Sequence, residues 1–247
     1  EFPYARKEGL GRAYVEYAPP HTLACGFVLA LLPGLYFGFL YLVMLGLAMA
    51  VSKDQPAYKP RFFDATEWAT LSALVDRLIP ADGEGPGALE AGAHEFIDLQ
   101  MNTPYASGAL WFMQGPFNAD AAPEMGWQSK LVPKQIYRLG IAATEELCKK
   151  AYNSTFAGLD SATRDEVLKQ LEAGTPKFDS VPAKMFFSFL LQNTKEGFFC
   201  DPIHGGNKGM VGWTMIGFPG ARADFMDWVE RNEQYPFPAV SIRGERA

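Results

Sequence analysis

The residues most able to do chemistry lie near the C-terminal end of the chain. Residues 201–221 read DPIHGGNKGMVGWTMIGFPGA and contain six glycines. His204 could act as a general base beside Asp201, or it could hydrogen-bond a partner, a substrate or its own loop. An enzyme site needs several convergent polar groups, whereas the neighbours of His204 are mainly Gly, Met and Trp. The segment therefore favours a rigid loop or an interface over a catalytic centre.

Other patterns that would indicate a cofactor or a metal are missing from the sequence. The stretch GEGPG at 83–87 follows a predicted helix and includes a proline, which indicates a turn rather than a nucleotide-binding loop. His94 begins like a zinc-binding helix, but Asp98 stands where the second His ligand is needed. We expect His94 to be solvated or hydrogen-bonded, and we expect the carboxylates of Glu145 and Glu146 to form a solvated helix face. We predict no catalytic residue, cofactor site or metal site in this chain.

The elements that position these residues begin with a long apolar segment. Residues 22–51 contain no charged side chain. As a helix they would extend about 45 Å, more than the roughly 30 Å hydrocarbon core of a bilayer. We predict a transmembrane or signal-anchor helix, with a signal peptide as the alternative. The predicted organisation is an N-terminal tail (1–21), this helix (22–51), a linker (52–62) and a helical domain (63–247).

The domain after the linker has the apolar periodicity of helices. Capping residues or prolines stand near the ends of the periodic stretches, and no run of alternating strands is present. We predict a mainly α, irregular helical domain with long structured loops. The net charge of −6 argues against a nucleic-acid partner. The segments predicted to be helical are 64–80, 87–101, 133–152, 159–174, 182–199 and, as a short helix, 222–232.

Three stretches of this domain together resemble one protein family. They are FFDATEWATLSALVDRLIPADGEGPGALEAGAHEFIDLQ (62–100), PYASGALWFMQGPF (104–117) and GFFCDPIHGGNKGMVGWTMIGFPGA (197–221). Each stretch is weak alone, but the combination is specific. It resembles the small subunit, called subunit 3 or gamma, of membrane-bound gluconate 2-dehydrogenase.

The resemblance implies an accessory, non-catalytic role. In this family and in related fructose, sorbitol and glucose dehydrogenases, a large FAD-containing subunit oxidises the sugar or sugar acid. A multihaem cytochrome c subunit then passes electrons to membrane ubiquinone. The small subunit binds and stabilises the flavoprotein and supports its export by the twin-arginine route. FAD and c-type haem are thus expected in partner subunits, and none in this chain.

The resemblance also implies a location. The chain would belong to the inner (cytoplasmic) membrane and contact its lipid, with the main domain on the periplasmic side. In that oxidising compartment a disulfide between Cys148 and Cys200 becomes plausible.

Contacts with a partner are expected in two loops, because Trp and Met are enriched in interface cores. The alternative is that these side chains form the domain's own core. Two other functions also stay open: a membrane-tethered enzyme using His204 and Asp201, and a membrane-anchored protein that binds a sugar or lipid alone. The predicted contact residues are Trp111, Met113, Gln114, Phe117, His204, Asn207, Met210, Trp213, Met215 and Phe218.

Overall fold

A computed structural model describes residues 58–83, 85–118 and 120–247, together with Gly38. The residues from Tyr58 to Ala247 form one compact unit. The predicted membrane helix and tail, apart from Gly38, and most of the predicted linker lie outside the described residues. In the part of the chain that the structure describes, no helix is both long and apolar enough to cross a bilayer.

Six α-helices, joined by loops and short 3-10 helices, make up the chain between residues 58 and 247. The described residues contain no β-strand, only isolated bridges that join Val240 to Gly220 and to Arg246. The predicted mainly α fold is confirmed for this part of the chain. The helices are α1 (Ala65–Leu78), α2 (Ala93–Gln100), α3 (Pro133–Tyr152), α4 (Ser161–Ala173), α5 (Ala183–Phe199) and α6 (Val211–Ile216).

Local sequence signals set several helix ends. At α1 the Asp64 carboxylate accepts the N–H groups of Thr66 and Glu67, and Glu67 accepts the N–H of Asp64, which completes a capping box. Asp160 caps the first turn of α4, and Gly174 ends that helix in a left-handed conformation. These contacts involve residues close in sequence, so the bounds were predictable.

Helix α5 is the centre of the core and contacts each of α1 to α4. Phe186 and Leu190 on α5 are fully buried. On α3, a Cβ added to Gly140 would lie 2.2 Å from the ring of Phe186, so the glycine allows the two helices to approach closely. The Tyr137 hydroxyl donates to the side-chain oxygen of Asn193 at 2.9 Å, which joins the same two helices through a buried hydrogen bond.

The buried face of α3 includes a carboxylate that we predicted to be solvated. Glu145 is only 6% exposed. Its Oε1 accepts hydrogen bonds from Thr70 Oγ1 on α1 at 2.7 Å and from the Phe156 N–H at 3.0 Å. Glu146 is exposed and pairs with Lys150, as expected for a solvated position. The prediction is wrong for Glu145 because its partners lie 75 and 11 residues away in sequence, beyond the reach of helix periodicity.

One buried carboxylate fastens the segment that precedes α1. Asp98 on α2 is fully buried. It accepts a hydrogen bond from the Tyr58 hydroxyl at 2.7 Å and from three successive N–H groups, Arg61–Phe63, at 2.8 to 3.2 Å. A buried carboxylate requires such partners in place of water. Asp98 therefore has a structural role that fixes the path of the chain into α1.

Candidate docking groove

The glycine-rich segment, residues 201–221, forms short helical turns rather than the single loop we predicted. Pro202–His204 and Lys208–Met210 are 3-10 turns, and α6 follows directly. Met210 before α6 and Gly217 after it have left-handed conformations, which confine α6 to six residues. A helix this short shows too little periodicity to be predicted from sequence. It contacts the central helix α5.

Asn207 holds the glycine-rich segment to the end of α5. Its N–H donates to Gly197 O at 2.8 Å, and its side-chain Nδ2 donates to Cys200 O at 2.9 Å. Its Oδ1 accepts the N–H of Gly212 at 2.9 Å, in the first turn of α6. Asn207 is fully buried and has a φ of 45°, a left-handed conformation that Asn tolerates better than most residues. One side chain therefore connects the end of α5 to the start of α6.

Two glycines allow the segment to lie directly on neighbouring backbone. A Cβ on Gly212 would lie 2.3 Å from the carbonyl oxygen of Phe198, and one on Gly220 would lie 2.2 Å from the carbonyl oxygen of Val240. No side chain fits at either distance, so glycine is required by space. The first contact joins the segment to α5, and the second joins it to the C-terminal segment, residues 234–247.

Met210 and Trp213 point into the chain's own structure. Both are buried and pack with Ala239 as a small second core. The Trp213 Nε1 donates to Phe199 O at 2.6 Å, so the polar end of the indole is already occupied. Its ring lies 5.0 Å from that of Phe218 in an edge-to-face arrangement. These contacts support the floor of a surface groove.

Asp201 and His204 do not form the acid–base pair of the catalytic alternative. The Asp201 Oδ1 accepts the N–H of Ile203 at 3.0 Å, and its Oδ2 accepts the N–H of Ile242 at 2.8 Å. Both oxygens thus hold backbone, and the second links the glycine-rich segment to the C-terminal segment. The His204 side chain is exposed. Among the hydrogen bonds of the described residues, none joins its imidazole to Asp201.

An apolar groove lies between these two segments, and we refer to it as the C-terminal groove. Its volume is about 710 Å³, within the range typical of binding pockets. The described residues that line it carry no charged side chain. Prolines and glycines supply much of the remaining wall. The aromatic and sulfur-containing side chains of the lining are Trp213, Met215, Phe218, Tyr235 and Phe237.

Arg222 fixes the far wall of the groove. Its guanidinium lies 5.8 Å from the ring centroid of Tyr235 and 5.4 Å from that of Phe237. The same group donates two hydrogen bonds to Pro238 O, at 3.0 and 3.2 Å. The Tyr235 hydroxyl donates to Asp224 at 2.7 Å. We did not predict this wall, although its sequence, YPFP at 235–238, alternates aromatic residues with proline.

A second apolar surface is formed by residues 104–128, which we call the aromatic loop. The Trp111 ring lies 5.0 to 6.0 Å from the rings of Tyr105, Trp127 and Phe189, which make up a half-buried aromatic cluster. A cavity of about 630 Å³ is lined by residues of the loop. The side chains exposed at its surface are Leu110, Phe112 and Met125.

The ten predicted contact residues divide by exposure. Asn207, Met210 and Trp213 are buried, so for these three the structure favours the alternative of internal packing over direct contact with a partner. The other seven remain predictions. Trp111, Met113 and Phe117 are half-buried, and the exposed members are Gln114, His204, Met215 and Phe218.

Cys148 and Cys200 are free thiols in this structure, so the disulfide that the family resemblance made possible is not formed here. Cys148 is fully buried on α3. Cys200 follows α5, where its Sγ donates a weak hydrogen bond to Gly197 O at 3.7 Å. Burial raises the pKa of each thiol to about 11. The Cys148 sulfur lies in the helical core, and the Cys200 sulfur lies at the start of the glycine-rich segment.

His94 lies where the glycine-rich segment meets α2. Its ring is 4.9 Å from that of Trp68, and its Nδ1 is buried without a hydrogen-bond partner. Burial, and then the positive charge of Lys208, lower the pKa of His94 to about 4. Lys208 itself pairs with Glu95 on α2. The expectation of a solvated or hydrogen-bonded His94 is wrong at Nδ1, because that atom is buried beside Trp68 without a partner.

The described ranges bring no three His, Cys, Asp or Glu side chains together in a way that could hold a metal ion.

Comparison with protein families gave a match between residues 65–220 and the family described as gluconate 2-dehydrogenase subunit 3. The match includes α1 to α6, the aromatic loop and the part of the C-terminal groove formed by the glycine-rich segment. It ends before residues 234–239, which form the far wall of the groove. Comparisons with curated proteins and with solved structures gave no match.

Proposed function

Because the chain belongs to the gluconate 2-dehydrogenase subunit 3 family, we propose that it is the non-catalytic small subunit of a membrane-bound, FAD-dependent dehydrogenase complex. It binds and stabilises the large flavoprotein subunit, which oxidises a sugar or sugar acid. Electrons then pass to a multihaem cytochrome c subunit and on to ubiquinone. FAD and haem reside in these partners, and the substrate specificity resides in the flavoprotein.

The observation that carries this proposal is the exposed apolar surface around the C-terminal groove. Met215, Ile216, Phe218 and Phe237 all expose large apolar side chains there. A contiguous apolar patch on a protein surface marks an interaction site more often than a chance feature. In a subunit of a complex, a partner covers such a patch and removes it from water.

The proposed location is the inner membrane, with the helical domain on the periplasmic side. Support comes from the uncharged sequence at 22–51, which is long enough for a membrane helix. In this role the N-terminal region supports export of the flavoprotein or attachment of the complex to lipid. A fusion of alkaline phosphatase after residue 247 should be active in intact cells, because that reporter folds only in an oxidising compartment. An inactive but intact fusion would contradict the location.

The catalytic alternative has less support, because both oxygens of Asp201 are engaged by backbone N–H groups. A membrane-anchored protein that binds a sugar or lipid alone is also less well supported. The described lining of the C-terminal groove carries no charged side chain, and its hydrogen-bonding side chains are few, chiefly Thr214, Gln234 and Tyr235. Partners from a fructose, sorbitol or glucose dehydrogenase complex would suit the same surface, and the identity of the flavoprotein decides among them.

The proposal is tested by purifying the full chain from native membranes in mild detergent and recording the absorbance spectrum of the complex. Flavin and c-type haem bands should co-elute with the chain in fixed proportion. The chain purified alone should not oxidise sugar acids with an artificial electron acceptor. Turnover by the isolated chain, or purification of the full-length chain without any flavoprotein, would contradict the proposed role.

A further inference from the structure

We propose that the C-terminal groove receives an extended, uncharged segment of the flavoprotein subunit, with an apolar side chain seated between Trp213 and Phe237. This inference rests on the proposed function, because it requires that the chain binds such a partner. It adds the docking site and the chemistry of the segment that occupies it.

The charge of the groove selects the occupant. The whole chain has a net charge of −6, yet the described lining of the groove has no charged side chain. A charged group seated against these apolar walls would lose part of its water without gaining a charged side chain as partner, which is unfavourable. The polar ends of the aromatic lining are also occupied, since Trp213 Nε1 donates to Phe199 O and the Tyr235 hydroxyl donates to Asp224. The Thr214 hydroxyl donates to Met210 O, so Gln234 is the remaining polar side chain of the described lining. The groove therefore presents mainly ring faces and apolar groups to an uncharged occupant.

The backbone of the groove selects an extended segment that binds through its side chains. Pro86, Pro219 and Pro238 line the walls, and proline has no N–H with which to pair an added strand. Val240, the next residue after this lining, is already bridged to Gly220 and Arg246. Binding by strand addition is therefore disfavoured. Grooves built from aromatic rings and prolines instead suit an extended or polyproline-like segment, which needs no backbone pairing.

The two walls are held in place before any partner binds. Asp201 joins the glycine-rich segment to the C-terminal segment through the Ile242 N–H. Arg222 holds Tyr235 and Phe237 from behind. A site that is already formed loses less conformational entropy on binding, so a short segment suffices for a specific contact.

A macromolecular occupant fits the surface better than a small molecule. Apolar side chains are also exposed outside the lining of the groove, such as Ile216, the residue after Met215 in α6. A ligand of pocket size would leave that side chain in water, whereas a protein partner would cover it.

The test uses the full chain and measures its affinity for the purified flavoprotein. Met215→Asp and Phe237→Asp place a charge in the groove at side chains that are 46% and 51% exposed. Met226→Asp, at a side chain that is 76% exposed and lines neither the groove nor the cavity of the aromatic loop, is the matched control. We expect each groove variant to bind at least about 30-fold more weakly, the loss typical of a central interface residue, and the control to stay within about 3-fold of wild type. Phe237→Tyr should bind like wild type.

The salt dependence of the wild-type affinity separates an apolar contact from an ionic one. Binding through the groove should be as strong in 1 M NaCl as in 0.15 M, because salt screens charge pairs but does not weaken apolar burial. A photo-crosslinking amino acid at position 215 should capture an uncharged segment of the flavoprotein. Capture of a lipid, of a second copy of this chain or of a charged segment would overturn the proposal.

The proposal and the proposed function fail in different ways. If wild type binds the flavoprotein but the groove variants bind equally well, the groove assignment is wrong and the accessory role stands. If wild type does not bind the flavoprotein at all, the accessory role fails and the groove assignment fails with it.

Circular dichroism and the melting temperature report whether each variant is folded. Met215→Ala and Phe237→Ala, which add no charge, serve as second variants and should weaken binding in the same direction.

Discussion

The C-terminal groove and the aromatic loop both expose apolar side chains, but the backbone beneath them is held in different ways. Under the groove, Asn207 makes three hydrogen bonds to backbone, and Asp201 makes two more, one of which crosses to the C-terminal segment. The aromatic loop is held by rings that pack edge-to-face or tilted around Trp111, by short-range backbone hydrogen bonds and by side-chain hydrogen bonds near its surface, such as that from the Asp120 N–H to Asn118. A fixed surface binds with a smaller entropic cost than an adaptable one.

This difference shows that aromatic content does not identify a docking site. Both segments look alike in sequence, since each combines Trp, Met, Phe, Gly and Pro. What separates them is the polar support underneath, and that support comes from residues such as Asn207 and Asp201. Four sets of measurements test how firmly the groove and the segment beneath it are held.

The largest expected effect is the loss of Asn207. Asn207→Ala removes two side-chain hydrogen bonds inside the structure and leaves Ala in a left-handed conformation. We expect the free energy of unfolding to fall by about 3 kcal/mol. Asn118→Ala, the matched change at the exposed aromatic loop, should cost about 0.5 kcal/mol or less. Urea denaturation followed by circular dichroism measures both, and equal losses would remove the distinction between the two surfaces.

Two glycine-to-alanine substitutions, one at each surface, distinguish destabilisation by steric clash from destabilisation by backbone strain. At Gly212 a Cβ would meet the carbonyl oxygen of Phe198, so Gly212→Ala should destabilise the protein by about 2 kcal/mol. Gly126 in the aromatic loop has a φ of 82° and open space around it, so Gly126→Ala should cost only about 1 kcal/mol, from strain alone. Chemical denaturation of the two variants gives the comparison. A smaller loss at Gly212 than at Gly126 would show that the floor of the groove can shift.

The junction between the glycine-rich segment and α2 should depend on pH. The unfolded chain protonates His94 as the pH falls through about 6.5, whereas the folded chain protonates it only near 4. The free energy of unfolding should therefore fall between pH 6.5 and pH 4, by about 1.5 kcal/mol because the ring is partly exposed. His94→Phe should lack this contribution. If the free energies of unfolding of wild type and variant fall in parallel over that pH range, His94 is not buried in the folded chain, which would contradict this structure of the junction.

The smallest effect is expected from the thiols. Burial raises the pKa of both Cys148 and Cys200 to about 11, so alkylation by iodoacetamide at pH 8 should be slow in the folded chain and fast after denaturation. Digestion without reductant should release the two cysteines on separate peptides. A peptide that links them would contradict the structure beneath the groove, where the Cys200 thiol lies beside Gly197.

Much of the helical fold could be predicted from sequence, because its determinants are local. The bounds of α3 agree with the predicted segment at 133–152, with Pro133 at the start. Asp64 and Glu67 form the expected capping box. The resemblance to the family also holds, since its model matches residues 65–220.

The site was less predictable, because it depends on contacts between residues far apart in sequence. Asp201 joins Ile242 across 41 residues, and Glu145 is buried through Thr70, 75 residues away. Neither contact leaves a local pattern. Trp213 was predicted to face a partner from its residue type, but the carbonyl oxygen of Phe199 accepts its indole N–H and holds it inside.

The most direct test of the groove as the docking site is hydrogen–deuterium exchange of the full chain, free and bound to the flavoprotein. Amide groups at 211–218 and 234–240 should exchange at least about 10-fold more slowly in the complex, because the partner covers them. Amide groups of the aromatic loop at 110–118 should be protected less than these. Protection of the aromatic loop with no protection of the groove would contradict the account and assign docking to the other surface.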